Sequence, residues 1–133
     1  MTILFIDDDL DDTELFCEAV DYLNKNESFD GREDIKCISI NDGCKAAELL
    51  STFGVPDFIF LDVNMPIMNG RECLKFLKTN QTYAKTPIIM LSTSFSESDH
   101  EEFNLLGAVA CIKKPTEFSA LVKLLSKCVY NTL

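Results

Sequence analysis

Residues 58–62 read FIFLD, a short apolar run that ends at a carboxylate. Residues 2–8 follow the same plan, with TILFI placed directly before Asp7 and Asp8. Both runs have the length and the branched or aromatic content of strands that are buried on both faces, as in parallel sheets. The pattern predicts two buried strands that each place carboxylates at their carboxyl end.

Short apolar runs alternate with longer amphipathic segments along the whole chain. The predicted strands are Thr2–Ile6, Ile35–Ile40, Phe58–Leu61, Pro87–Leu91 and Ala108–Ile112. The predicted helices are Leu10–Asn24, Cys44–Phe53, Arg71–Thr79, Glu97–Leu106 and Phe118–Tyr130. Ser96 and Asp99 have the spacing of a capping box before the fourth of these helices. The alternation predicts one α/β domain over residues 1–133, a doubly wound (βα)5 fold with a five-stranded parallel sheet.

The composition argues against several classes of protein. With 133 residues, of which 47% are hydrophobic, the chain is long and apolar enough for one globular core. Its net charge of −10 disfavours nucleic acid and anionic membrane surfaces, whose phosphates would repel it. No apolar run approaches the roughly 18 residues of a membrane span, and no signal-like segment opens the chain. We therefore expect a cytoplasmic protein.

Six cysteines, at positions 17, 37, 44, 73, 111 and 128, include no Cys-x-x-Cys pair. The single histidine, His100, has no neighbouring ligand at the spacing of a zinc site. In a reducing cytoplasm a buried cysteine behaves as a small hydrophobe. We interpret the cysteines as packing residues.

Carboxylates follow two of the predicted strands. If the first and third strands are neighbours, about 4.8 Å apart, then Asp7, Asp8 and Asp62 converge. Like charges that close together raise each other's pKa or recruit a cation, and hard oxygen ligands favour Mg²⁺ or Mn²⁺. The aspartates that follow Asp7 and Asp8 are better explained as caps of the first helix, where negative charge is favourable. These are Asp9, Asp11 and Asp12.

A hydroxyl pair and an ammonium group follow the last two predicted strands. Ser92 and Thr93 come after the fourth strand, and Lys114 comes after the fifth. A phosphoryl group on Asp62 would need such a clamp, because phosphoryl transfer depends mainly on positioning and charge stabilisation. A carboxylate can act as the nucleophile and form an acyl phosphate.

These motifs resemble the receiver domain of bacterial two-component response regulators, the CheY-like superfamily. The resemblance covers residues 2–130 and rests on four motifs: ILFIDDD (3–9), LDVNMP (61–66) with Gly70, MLST (90–93) and Lys114-Pro115. Ser92 follows Asp62 by 30 positions and Lys114 follows Ser92 by 22, which is the family spacing.

The resemblance implies a flavodoxin-like strand order 2-1-3-4-5 and a signalling protein that accepts a phosphoryl group on Asp62. The donor would be a sensor histidine kinase or a histidine phosphotransfer protein. The resemblance implies metal ligands, namely Asp7, Asp8, Asp62 and the backbone carbonyl of Asn64. It implies phosphoryl-binding and switch residues, namely Ser92, Thr93 and Lys114. It implies residues that shape the loops, namely Pro66, Gly70 and Pro115.

The chain departs from the family at Cys111, where an aromatic residue that swings inward is common. We therefore expect the readout to be a backbone shift of the Ser92–Ser96 loop, with Phe95 either packing or forming a dimer or partner contact. The long tract before the second strand and the Ser92-Thr93-Ser94 run are similar to small receivers that pair with phytochrome-like histidine kinases. No output domain is expected after the last helix, so the output would be a protein contact or the passage of the phosphoryl group to another histidine protein.

Three other interpretations remain open. Residues 9–13, DLDDT, match the Asp-x-Asp-x-Thr of haloacid-dehalogenase-like phosphatases but begin two residues late. Asp7, Asp9, Asp11 and Glu18 have the spacing of a calcium loop, but its glycine is missing and the segment follows a strand. A pseudo-receiver that binds partners without phosphorylation would have the same fold.

Overall fold

The computed structural model describes residues 1–26, 34–41, 54–63 and 70–130, with side chains as far as 128. Its strands are β1 (Thr2–Ile6), β2 (Lys36–Ile40), β3 (Phe58–Asp62), β4 (Ile88–Ser92) and β5 (Ala110–Lys113). Its helices in the described ranges are α1 (Leu10–Asn26), α2 (Gly70–Thr79), α3 (Glu97–Leu105) and α4 (Phe118–Tyr130). All five predicted strands and four of the predicted helices are confirmed to within two residues. The helix predicted over Cys44–Phe53 lies outside the described residues.

The strands form one parallel sheet in the order β2-β1-β3-β4-β5. This is the predicted doubly wound order. β1 is adjacent to β3, with Ile6 opposite Leu61, and Ser92 of β4 is opposite Lys113 of β5. Because all strands are parallel, their carboxyl ends lie along the same edge of the sheet.

Two apolar cores cover the two faces of the sheet, since successive side chains of a strand point to opposite faces. Leu4 and Ile6 pack with Phe103 of α3 on one face, and Phe5 packs with Phe16 of α1 on the other. The rings of Phe5 and Phe16 stack with their centroids 4.1 Å apart. Burial of each such side chain contributes about 1.5–3 kcal/mol, so both cores hold the strand ends in place.

Side-chain caps begin two of the helices. Asp9 Oδ1 accepts hydrogen bonds from the backbone N–H groups of Asp11 and Asp12, at 2.9 and 3.3 Å, ahead of α1. The predicted capping box of α3 is confirmed, because Ser96 Oγ accepts from the Asp99 N–H and the Ser96 N–H donates to Asp99 Oδ2. In the part of the chain that the structure describes, no helix is long and apolar enough to cross a membrane.

Candidate functional site

Three carboxylates meet where β1 and β3 end. Asp7 follows β1 and is 0% exposed, and Asp62 is the last residue of β3 and is 4% exposed. Asp8, the next residue after Asp7, is exposed. One oxygen from each side chain lies within 4.8 Å of the others. The adjacency of β1 and β3 therefore brings together the three carboxylates that the strand pattern predicted to converge.

Lys114 lies among the acidic groups. Its Nζ is 2.8 Å from Asp7 Oδ2, 2.9 Å from Asp12 Oδ2 and 3.2 Å from Asp62 Oδ1. Its backbone N–H donates to the Ser92 carbonyl at 2.8 Å, which fixes the chain after β5 against the end of β4. The ammonium group thus reaches across the sheet edge from β5 to the carboxylates of β1 and β3.

The electrostatics of the site differ for the ammonium and the buried carboxyl. Burial acts to lower the pKa of Lys114, but its bonds to Asp7 and Asp12 and the charge of Asp62 outweigh burial and raise this pKa above its usual range. Burial raises the pKa of Asp7 from 3.8 to about 6, even though Lys114 stabilises the charged form. At neutral pH this edge of the sheet therefore carries a stable positive charge on Lys114. It also carries a negative charge on Asp7 that burial makes energetically unfavourable.

The acidic cluster fits a small divalent cation. Asp7 Oδ2 is fully buried and is paired with Lys114 Nζ at 2.8 Å as an ion pair, but it accepts no hydrogen bond of regular geometry among the described residues. A buried carboxylate oxygen in that state, next to two further carboxylates, suits a hard cation such as Mg²⁺ or Mn²⁺. The predicted fourth ligand, the carbonyl of Asn64, lies outside the described residues.

Asp12 is a site residue that the sequence interpretation missed. We predicted it as a cap of α1, but Asp9 accepts the capping hydrogen bonds, and the Asp12 carboxylate binds Lys114 instead. One signal was present in the sequence. Three aspartates occupy positions 9 to 12, and one cap is enough to begin a helix.

The two predicted hydroxyl residues have different environments. Ser92 is the last residue of β4 and is 3% exposed, and its Oγ accepts a long hydrogen bond of 3.4 Å from the Ser94 N–H. Thr93 is exposed. The structure therefore brings Ser92, but not Thr93, into the buried edge of the sheet.

Gly70 approaches the backbone beside Asp62 closely. Its N–H donates to the Val63 carbonyl at 2.9 Å. A Cβ atom at this position would lie 2.7 Å from both the Asp62 carbonyl oxygen and the Val63 Cα, too close for any side chain. Pro115 is half-buried next to Lys114, while Pro66 lies outside the described residues.

The two candidate readout residues are both half-buried against the core on the α2 and α3 side. The ring of Phe95 meets that of Phe103 edge-on, with centroids 6.0 Å apart, which favours the packing interpretation of Phe95. Cys111 borders a surface cavity of about 280 Å³, which is also lined by His100 and Asn104. No aromatic side chain of β5 fills this space, because β5 reads ACIK.

The alternative interpretations fit this geometry less well. The dehalogenase-like motif would need Asp9 as nucleophile, but Asp9 caps α1. The calcium loop would need Asp7, Asp9 and Asp11 to converge, whereas the convergent set among the described residues is Asp7, Asp8 and Asp62. A pseudo-receiver would share this fold and would differ from a phosphoacceptor in not being phosphorylated.

The chain belongs to the response regulator receiver domain family, whose sequence profile matches residues 3–126. Receiver domains are the signalling phosphoacceptor domains of two-component systems; they bind a divalent metal and interact with histidine kinases.

Individual relatives agree with this assignment. The chain is 36% identical to the transcriptional regulatory protein CpxR of Escherichia coli K12 over 120 residues, which cover 90% of this chain and 45% of CpxR. It is 35% identical to the response regulator Rcp1 of Synechocystis over 72 residues, 50% of this chain and 49% of Rcp1. The chain thus spans about half the length of the curated relatives that it matches.

Solved structures give the same result over nearly the whole chain. The phosphorylated cyanobacterial phytochrome response regulator RcpA superposes with a TM-score of 0.81 at 26% identity, covering 99% of this chain and 95% of RcpA. The Mn²⁺-bound form of Rcp1 superposes with a TM-score of 0.77 at 26% identity, covering 99% of this chain and 96% of Rcp1.

Proposed function

We propose that the domain accepts a phosphoryl group on Asp62 from the phosphohistidine of a histidine kinase or a histidine phosphotransfer protein, in a reaction that needs Mg²⁺. One observation carries the proposal. Asp62 is a buried carboxylate at the carboxyl end of the central strand β3, and it lies both against the ammonium group of Lys114 and among two further carboxylates.

The reaction would proceed by attack of an Asp62 carboxylate oxygen on phosphorus, with cleavage of the P–N bond and departure of the imidazole. A divalent cation held by Asp7, Asp8 and Asp62 would neutralise charge on the phosphoryl oxygens. Lys114 keeps its proton because its pKa is raised, so it offers a fixed positive charge to the same oxygens. The Ser92 hydroxyl, buried at the end of β4, would donate a hydrogen bond to one of them.

The relatives suggest the class of kinase. The solved structure of RcpA is described as a phosphorylated phytochrome response regulator, and Rcp1 as a response regulator with Mn²⁺ bound. Together with the Ser92-Thr93-Ser94 run, these likenesses support a phytochrome-like histidine kinase as the donor. The output would be a protein–protein contact, because the net charge of −10 disfavours DNA.

Intact-mass measurement with acetyl phosphate and Mg²⁺ tests the proposal. The wild-type protein should gain about 80 Da, the mass of one phosphoryl group in place of a proton, and EDTA should abolish the gain. Asp62→Asn should remain folded and gain nothing. The matched control is Asp57→Asn, because Asp57 is an exposed aspartate before the start of the same strand.

Two results would contradict the proposal. An adduct of full yield on Asp62→Asn would place the acceptor elsewhere. A folded wild-type protein that gains no mass from acetyl phosphate, and none from a phosphorylated histidine kinase, would instead support the pseudo-receiver.

A further inference from the structure

Two cysteine thiols meet on the face of the sheet away from α2 and α3. The Sγ atoms of Cys17, on α1, and Cys37, on β2, are 3.1 Å apart, and both thiols are free. Both residues are half-buried, so a small molecule in solvent can reach the pair. A disulfide bond is about 2.05 Å long, so the two sulfur atoms need to approach by roughly 1 Å to form one.

Two asparagines hold α1 against β2 on either side of this pair. Before β2, Asn24 donates to the Ile35 carbonyl at 2.9 Å and accepts from the Ile35 N–H at 2.7 Å. After β2, Asn41 Nδ2 donates to Thr13 Oγ1 at 3.3 Å. Because these bonds tie the helix to the strand at both ends, the fold already holds the two sulfur atoms close together before oxidation.

The two thiols should differ in reactivity, because only one of them can donate the hydrogen bond between the two sulfur atoms. Hydrogen bonds from Cys37 and Ser39 lower the pKa of Cys17 to about 7, although burial and the charge of Asp21 act in the opposite direction. The same contact with Cys17, together with burial, raises the pKa of Cys37. Cys17 is therefore the better source of a thiolate and Cys37 the partner thiol.

We propose that Cys17 and Cys37 form an oxidation site, at which a peroxide converts the two thiols into an intrachain disulfide that joins α1 to the edge strand β2. The Cys17 thiolate would attack a peroxide oxygen, giving a sulfenic acid and water with hydrogen peroxide as the oxidant. The Cys37 sulfur then attacks the Cys17 sulfur and a second water leaves. In total, two thiols and one hydrogen peroxide give one disulfide and two waters, and a dithiol such as dithiothreitol reverses the reaction.

The disulfide would change the stability of the protein and the attachment of α1 to β2. It would close a loop between positions 17 and 37, which lowers the entropy of the unfolded chain and raises the melting temperature by on the order of 10 °C. α1 also carries Asp12, which binds Lys114. Oxidation would therefore attach this helix to β2 by a covalent but reducible bond, without changing the carboxylates themselves.

Controlled oxidation of the whole protein, read by mass, tests the inference and needs no phosphoryl transfer. One equivalent of hydrogen peroxide should remove about 2 Da, the mass of two hydrogen atoms. Alkylation under denaturing conditions should then label four cysteines instead of the six in the sequence. Peptide mapping should find Cys17 joined to Cys37, and dithiothreitol should restore both the mass and the melting temperature.

Matched variants separate this pair from general thiol oxidation. Cys37→Ser should leave a Cys17 sulfenic acid that dimedone traps, and Cys17→Ser should slow oxidation at least tenfold. Cys111→Ser is the control, because Cys111 is also half-buried but lies on β5, at the other edge of the sheet. It should oxidise like the wild type. A first disulfide between other cysteines, a disulfide between two molecules, or six cysteines still free after peroxide treatment would overturn the proposal.

Discussion

At Asp7, burial and function oppose each other. The side chain is completely buried, and burial is the largest contribution to its raised pKa. Lys114 only partly offsets this cost, since the same ammonium group also lies against Asp12 and Asp62. A buried carboxylate that is destabilised in the absence of metal is well suited to bind one, because a cation relieves the cost of its charge.

Asp7 should make the metal-free protein less stable as the pH rises. The folded-state pKa of about 6 lies above the value of 3.8 expected in the unfolded chain. The folded state therefore binds more protons between these values, and stability falls as the pH rises through that window. Between pH 4.5 and 7.5 in EDTA, the contribution of Asp7 to the free energy of unfolding should fall by about 2 kcal/mol. Urea denaturation of the wild type and of Asp7→Asn across this pH range measures this contribution as the difference between their free energies of unfolding.

The control for this prediction is Glu14→Gln, because Glu14 is an exposed carboxylate on α1. Its pH profile should follow the wild type. Adding Mg²⁺ should stabilise the wild type more at pH 7.5 than at pH 4.5, since protons compete with the metal at low pH. A constant difference between wild type and Asp7→Asn over the whole range would disprove the burial argument.

At the scale of helices and strands, Arg71 joins α2 to α3. Its Nε is 2.7 Å from Glu102 Oε1 and its Nη2 is 3.0 Å from Asp99 Oδ1. The guanidinium carbon also lies 5.0 Å from the ring centroid of Phe103. Arg71 immediately follows Gly70, which contacts the backbone beside Asp62. The start of α2 thus touches the backbone at Asp62 and Val63 on one side and α3 on the other.

Removing the guanidinium group should weaken the attachment of α3 by a small but measurable amount. Arg71→Met keeps the aliphatic stem and should lower the free energy of unfolding by about 1 kcal/mol, because these ion pairs are partly exposed and screened by water. A double-mutant cycle with Glu102→Gln should give a coupling energy of about 0.5 kcal/mol that shrinks in high salt. The control partner, Glu101→Gln, changes an exposed neighbour and should show no coupling with Arg71→Met. Equal coupling at positions 101 and 102 would mean that the ion pair has no specific effect.

The elements themselves could be predicted from the sequence, whereas the contacts between them could not. Apolar runs and capping residues are local signals, which is why the strands and the capping box of Ser96 and Asp99 were found. The contact of Cys17 with Cys37 depends on how α1 lies on β2. The sequence around each of the two cysteines contains no motif that predicts this contact. The partners of Arg71 depend in the same way on how α2 lies beside α3.

At the scale of the whole molecule, the acidic site could be predicted because parallel topology turns strand ends into neighbours. Placing Asp7 beside Asp62 required only that β1 and β3 be adjacent. The position of Asp12 could not be predicted, because it depends on the angle at which α1 leaves the edge and on the reach of Lys114. The buried position of Ser92 and the exposed position of Thr93 likewise depend on where β4 ends.

The sheet that carries the site has a separate apolar core on each face, so a structural change at the site can be followed on each face separately. Ser92 and Lys114 are joined by a backbone hydrogen bond, so the ends of β4 and β5 should move together. The loop after β4 continues into Phe95, which packs on Phe103 of α3 within the core on that face. The opposite core, built on α1 and α4, has no side chain from this loop among its described members.

Phosphorylation should therefore change amide exchange on one face of the molecule. Beryllofluoride, which stands in for the phosphoryl group on Asp62, should draw Ser92 and Lys114 towards it and alter protection across residues 92–103. Amides of α1 beyond its first turn should change little. Ser92→Ala should remove most of the effect, whereas Thr93→Ala should keep it, since Ser92 is buried at the sheet edge and Thr93 is exposed. Exchange that changes only beside Asp62, or equally in both cores, would show that the signal does not travel through the loop after β4.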